Sequence, residues 1–254
     1  MLIAVTRPVS PTLAQCELTH LAREPIDVAR AGTQHAAYEQ LLSALGATVI
    51  RVPPAPELPD AVFIEDTAIV LAETAVITRP GAPTRQAEPP AVGAVLSSYR
   101  PVLAMTPPAT LDGGDVLLVG RTLYAGRSSR TNQEGIAQLE HLLAAFDYRV
   151  VPVEFAGCLH LKSAVSCIVD GLLLLNPAWV AEASFPALEV LPIDAREPFA
   201  ANALRVADAV VYPTNFPRTC ERLLQRGLEV APIDCSELAK AEGGVTCCSL
   251  VFEA

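Results

Sequence analysis

The chain has 254 residues, 51% of them apolar and 18% charged, enough to build and bury a core within a single domain spanning 1–254. A net charge of −10 excludes a nucleic-acid surface, which needs clustered Lys and Arg, and no apolar run reaches the roughly 20 residues that a bilayer span requires. Seven cysteines, an odd number without a CxxC pair, fit neither a disulfide framework nor a zinc site.

In chain order, Leu2–Thr6 opens as a buried strand. Its apolar run stops at Thr6-Arg7-Pro8, too short for a signal-peptide core, so the thiols are expected to be reduced and the protein cytoplasmic. A strand at Val49–Pro53 is followed by the rigid connector Pro53-Pro54-Ala55-Pro56. Then a unit recurs, made of an apolar strand, a tight turn, an apolar strand and, later, a third strand. Its first pairs are Ala68–Leu71 with Ala75–Thr78 and Val116–Val119 with Thr122–Ala125, and the next are Cys167–Val169 with Leu172–Leu175 and Leu204–Val206 with Ala209–Tyr212. Gly120-Arg121, Asp170-Gly171 and Ala207-Asp208 suit the turns. Thr131-Asn132-Gln133-Glu134 reads as a capping box, with Ile136, Leu139, Leu142 and Leu143 on one helical face. Third strands recur at Val102–Met105, Val150–Val153, Val190–Ile193 and Val230–Ile233.

With Val49–Pro53 there are five third strands but only four internal hairpins. The chain ends, Leu2–Thr6 and Cys248–Phe252, supply the fifth. A repeat of about 35 to 50 residues falls in the range of closed radial arrays. The fold class expected is therefore α/β, a five-bladed propeller of pseudo-symmetric ββαβ repeats with the termini paired in one repeat, a closure that removes sheet edges. An open α/β sheet is the rival, but its parallel strands would need helical connections where this sequence has tight turns.

Three polar features interrupt the apolar pattern. Gly243-Gly244-Val245-Thr246-Cys247-Cys248 places a thiol after two glycines, either a nucleophile or a turn with two buried cysteines. Leu111-Asp112-Gly113-Gly114-Asp115 is either a functional acid pair or an Asp-Gly turn. Leu159-His160-Leu161-Lys162-Ser163 offers an imidazole that alone would read as a core histidine. Each precedes the first strand of a repeat, so ring closure gathers all three at one end of the axis. Thiol, imidazole and carboxylate are the parts of a cysteine-nucleophile site. A fourth repeat adds Asp60-Ala61-Val62-Phe63-Ile64-Glu65-Asp66 at the equivalent place. Three carboxylates in so apolar a segment are costly to bury unless they meet a cation. A cationic ligand fits that need, while the spacing of His160 and the cysteines is not that of a zinc site.

Those segments, together with Ile77–Pro83 leading to Arg85 and Arg130-Thr131-Asn132-Gln133, resemble in order and spacing the dimethylarginine dimethylaminohydrolase family of the pentein, or guanidine-modifying, superfamily. The resemblance runs along nearly the whole chain. It implies Cys247 as nucleophile, His160 as general acid and base, and Asp112 as its orienting carboxylate. It implies Asp60, Glu65 and Asp66 around a guanidinium, Arg85 and Arg130 as bidentate holders of a substrate carboxylate, and Leu18 and Ala241 as further substrate contacts. Family members carry a larger aliphatic residue at the position of Ala241. The implied activity is hydrolysis of Nω-methylated arginine to citrulline through a covalent S-alkylthiouronium. The implied partner is a small guanidino amino acid, with no metal, organic cofactor, nucleic acid or membrane, in a monomer or homodimer. Arginine deimination and a non-catalytic pentein binding protein are the alternatives. Arginine deiminases typically carry an extra helical domain for which this chain has no room, and retention of Cys247, His160 and Asp112 together argues against a silent ring.

Overall fold

Short apolar runs punctuated by turn residues set the strands, and every run named above is one. The computed structural model describes residues 1–254. The first strand, β1 (Leu2–Thr6), leads through helix α1 (Val28–Ala44) to β2 (Thr48–Arg51). The second unit comprises β3 (Ala68–Val70), β4 (Ala75–Ile77), α2 (Pro89–Leu96) and β5 (Val102–Ala104). The third comprises β6 (Val116–Val119), β7 (Thr122–Arg127), α3 (Gln133–Leu143) and β8 (Arg149–Glu154). After a one-turn helix α4 (Leu161–Ala164) come β9 (Val165–Val169), β10 (Leu172–Leu175) and β11 (Glu189–Pro192). The last internal unit is β12 (Leu204–Val206), β13 (Ala209–Pro213), α5 (Pro217–Gln225) and β14 (Glu229–Ile233), followed by α6 (Ser236–Ala239) and β15 (Leu250–Glu253).

The strands form five three-stranded sheets. In each internal unit the hairpin is antiparallel and the third strand adds in parallel to the second. A parallel partner requires a crossover, which α2, α3 and α5 provide in their units. In the fifth sheet β15 pairs antiparallel with β1, Val5 opposite Leu250, and β2 adds in parallel. The terminal groups meet as well, with the Met1 ammonium donating to the Ala254 carbonyl at 2.8 Å. The first strands of all five sheets line one axial cavity, through residues such as Ile69, Leu117, Cys167, Leu204 and Leu250. This is the closed five-unit ring expected from the repeat. The outer core lies between helices and sheets: Ile136, Leu139 and Leu143 of α3 are buried with Leu123, Ala125 and Val150 of their own unit and Ile69 and Val76 of the preceding one.

Two local expectations are corrected. The N-cap of α3 is Asn132, whose side chain accepts from Gly135 N, and not Thr131. The Thr131 hydroxyl instead donates to Asp115 at 2.6 Å, a charged acceptor that outcompetes a helix N–H. The final strand begins at Leu250, so Cys247 and Cys248 sit in a turn and not within a strand. Cys247 N bonds to Gly244 O at 3.2 Å and its carbonyl accepts Glu65 N at 3.1 Å, which takes both groups out of any ladder.

Candidate active site

The double glycine of the Asp112–Asp115 motif has a steric cause. A Cβ on Gly113 would lie 2.1 Å from the Glu65 carbonyl oxygen, and one on Gly114 would lie 2.7 Å from Nδ1 of His160. Only glycine lets the backbone approach this closely. The imidazole therefore rests on the Gly113-Gly114 turn, between two acids. Its Nε2 is 3.1 Å from Asp112 Oδ2 and its Nδ1 is 3.7 Å from Asp66 Oδ1. Asp112 is wholly buried behind the ring, its other oxygen accepting Gly81 N at 2.8 Å.

Asp66, Asp60, Arg85, Arg130, His160, Ala241 and Cys247 line one cavity of about 20 Å³. This is where ring closure brings the predicted residues together, at the end of the axis opposite the strand-lined cavity. Three expectations fare differently. Glu65 turns away from this cavity: its carboxylate pairs with Lys162 Nζ at 2.5 Å, accepts Thr246 Oγ1 at 2.7 Å, and borders the strand-lined cavity. Leu18 does not line the cavity either. It is half-buried against the apolar cluster containing Leu13, Cys16 and Ala241, because an exposed leucine gains more from that packing than from a polar cavity. The Arg85 fork is occupied: Nε and Nη2 grip Glu88 at 3.0 and 2.8 Å, and Nη1 donates to Asp66 at 2.6 Å. A guanidinium buried this deeply needs acids around it, and Glu88, which the sequence reading passed over, supplies one. Of the Arg130 fork only Nη2 is engaged, donating to Thr19 Oγ1 at 3.2 Å.

Other wall residues were not foreseen. Glu17, Phe63 and Glu242 also line the cavity. Glu242 stands in the left-handed region at φ 59°. Its carboxylate accepts the successive backbone N–H groups of Thr19, His20 and Leu21. That holds the segment 19–21 over the mouth, where Glu242 and Gly243 also border an outer cleft of about 350 Å³. The inner cavity has room for about one water. The signal available in the sequence was the position of Glu242 directly before the quoted Gly243-Gly244 pair.

Burial disfavours charge on His160, but Asp66, the Asp112 hydrogen bond and Asp115 overcome it and lift the imidazole to about 9. Burial likewise opposes ionisation of Asp66, yet His160, Arg85 and Gly114 N–H hold its carboxyl at about 2. Burial, reinforced by Glu65 and Asp66, pushes the Cys247 thiol far up. At neutral pH the site thus combines a protonated imidazole, an ionised Asp66 and a neutral thiol. Ligand atoms of Asp66, Asp112 and His160 lie within 4.8 Å of one another. Their carboxylates accept from Arg85, Gly114, Gly81 and His160.

A ring of five three-stranded units, four of them ββαβ and the one at β9–β11 crossing over without an α-helix, with thiol, imidazole and acids gathered at one end of its axis, defines the pentein class of guanidine-modifying proteins. No family model matches the chain. Similarity to individual proteins is extensive. The chain is 39% identical to the N(G),N(G)-dimethylarginine dimethylaminohydrolase of Streptomyces coelicolor, over 97% of this chain and 95% of the other. It is 34% identical to the protein of that name from Pseudomonas aeruginosa, over 92% of each. A solved structure of the Pseudomonas aeruginosa protein, a Cys-to-Ser mutant in complex with citrulline, superposes with a TM-score of 0.94 at 32% identity, over 98% of both chains. The chain belongs to the dimethylarginine dimethylaminohydrolase family.

Proposed function

We propose that this chain is an amidine hydrolase that converts Nω-methylated arginine and water to citrulline and methylamine or dimethylamine, with Cys247 as nucleophile. The observation that carries the reading is the joint placement of Cys247, His160 and Asp66 on one cavity of a ring with family-wide similarity. A guanidinium is planar, cationic and a poor electrophile. Asp66 and Asp60 give it anionic partners, and Arg130, whose fork is largely free, receives the substrate carboxylate. Arg85 lines the same wall and acts mainly by neutralising Glu88 and Asp66.

The charge states direct the steps. Burial and two acids keep Cys247 protonated, and an arriving guanidinium reverses that field, so the thiol gives its proton to solvent water as substrate binds. The thiolate adds to the guanidinium carbon, giving a neutral tetrahedral adduct. His160, cationic near neutrality, donates its proton to the methylated nitrogen, the C–N bond breaks, and the amine departs from an S-alkylthiouronium. The neutral imidazole then takes a proton from water. Hydroxide adds to the same carbon, the C–S bond breaks, and citrulline leaves with Cys247 recovering a proton. Asp112 keeps the imidazole oriented throughout. Residues 1–254 are read as one catalytic domain, as monomer or homodimer, and seven unpaired cysteines suit a reducing compartment such as the cytoplasm.

The test is a substrate panel of Nω-methylarginine, asymmetric dimethylarginine, arginine and agmatine, scored for citrulline or carbamoyl product. Citrulline from the methylated substrates in preference to arginine is expected. Faster turnover of arginine would move the reading to deimination, and no product from any of the four would overturn it.

A further inference from the structure

Asp115 closes the Asp112–Asp115 motif and has no place in the chemistry above, yet it is completely buried. Its oxygens are all used. Oδ2 accepts the Ser128 and Thr131 hydroxyls, each at 2.6 Å, and Oδ1 accepts Leu161 N at 3.0 Å. Each contact leads to another part of the site. Leu161 follows His160 directly. The Ser128 hydroxyl oxygen accepts the backbone N–H groups of Arg130 and Thr131, at 3.0 and 3.1 Å. The Thr131 hydroxyl oxygen accepts Asp112 N at 3.2 Å. One carboxylate therefore ties the backbone beside His160 to the backbones of Arg130 and Asp112, which belong to different stretches of the ring.

Building the roles of His160 and Arg130 on the functional reading above, we infer that Asp115 is a positioning residue that sets the imidazole and the carboxylate-binding arginine in one register. A neutral acceptor would not serve equally. Three donors converge on Asp115, two of them through the short O–H···O⁻ contacts that an ionised acceptor favours. An amide would present N–H to one set of donors. The charge has a second use. The acids facing His160 are Asp66, Asp112 and Asp115, and Cys247, Arg85 and Arg130 share its cavity. Asp115 helps to retain the imidazole proton. The charged group acting on Asp115 in return is His160, against burial that lifts its carboxyl to about 6.

The experiment pairs Asp115→Asn with Ser128→Ala. The His160 imidazole is titrated by NMR, and methylarginine turnover is followed against pH. In Asp115→Asn the imidazole titration is expected to fall by about one unit or more, as loss of a nearby opposite charge requires, and the high-pH limb of kcat to move down with it. Ser128→Ala keeps the charge and removes one arm. It is expected to raise KM for methylarginine about fivefold or more, the weight of one hydrogen bond, with the limb unmoved. A role confined to folding would lower the melting temperature and leave both limb and KM in place, and that result overturns the proposal. If Asp115→Asn does not fold, Ser128→Ala and Thr131→Val carry the test, and an unchanged KM in both overturns it. The NMR titration needs no turnover: an unshifted imidazole in folded Asp115→Asn refutes the role of Asp115 by itself. A wild-type chain that forms no citrulline instead overturns the functional reading.

Discussion

Glu65 and Asp66 are neighbours in sequence, both buried, and they serve opposite ends of the ring axis. Asp66 faces the Cys247 end, among His160, Arg85 and the Gly114 N–H. Glu65 faces the strand-lined end, where Lys162 and Thr246 hold it and Asn202 Nδ2 donates to the Thr246 hydroxyl oxygen at 2.9 Å. One end is polar, nearly filled, and covered by the segment 19–21 that Glu242 holds. The other is a cavity of about 250 Å³ walled by the first strands. The Glu65–Lys162 pair borders the second cavity from beside Cys247 and separates two environments within a few residues. On the proposed function, chemistry belongs to one end and structural charge pairing to the other, although both are acidic in sequence.

The sharpest way to break this comparison is at the thiol. Cys247→Ser should lower citrulline formation by about a thousandfold or more, because a hydroxyl is a far weaker nucleophile near neutral pH. Cys248→Ser should keep turnover within about twofold, since Cys248 is buried in the apolar cluster with Tyr38 and Leu42 of α1 and costs only packing. Adduct mapping by mass spectrometry after a haloacetamidine checks the pair, and an adduct on Cys248 would reverse it.

Next come the charges. Lys162→Met strands Glu65 and should cost about 3 kcal/mol or more of unfolding free energy, with KM for methylarginine little changed. Asp66→Asn should act mainly on turnover. Arg85→Ala should unfold the protein at lower denaturant by a similar amount, because Glu88 and Asp66 lose their cation. Arg130→Ala should instead raise KM for methylarginine by roughly tenfold to a hundredfold, the range of a charge-assisted hydrogen bond, at near-normal stability. Equal effects on KM from both arginines would restore the original bidentate pair.

The pH dependence is smaller and separates the ends further. His160 titrates at about 9 against an ordinary 6.5. Its raised value means that its stabilising contribution is fully present below about 6.5 and is lost as pH rises through about 9. Turnover should decline over the same window as the general acid loses its proton, and a kcat–pH profile with a flat high-pH side past 10 would remove His160 from that role. The smallest effect expected is at the mouth. Glu242→Ala frees the N–H groups of Thr19, His20 and Leu21, so amide exchange at those residues should accelerate while turnover shifts only a few-fold. Unchanged exchange would show that the segment is held by other contacts, such as Glu17 N on Asp60.

Much of this is legible in the sequence. The five third strands, the four hairpins and the pairing of the chain ends follow from short-range apolar periodicity and turn residues, which act within a few residues of each other. The gathering of Cys247, His160 and Asp112 at one end follows from their common place before a first strand. The tertiary structure alone decided the rest. Glu65 departs from Asp66 because Lys162, 97 residues away, draws it to the other end. Arg85 gives its fork to Glu88 because a buried cation takes the nearest acids, whatever its position in a motif. Thr131 leaves its cap for Asp115, and Glu242 reaches a segment 223 residues distant. Apolar patterning is a local code that one strand can display by itself. The partner of a buried charge is set by which chain segments closure brings within about 3 Å, and that is a property of the folded ring.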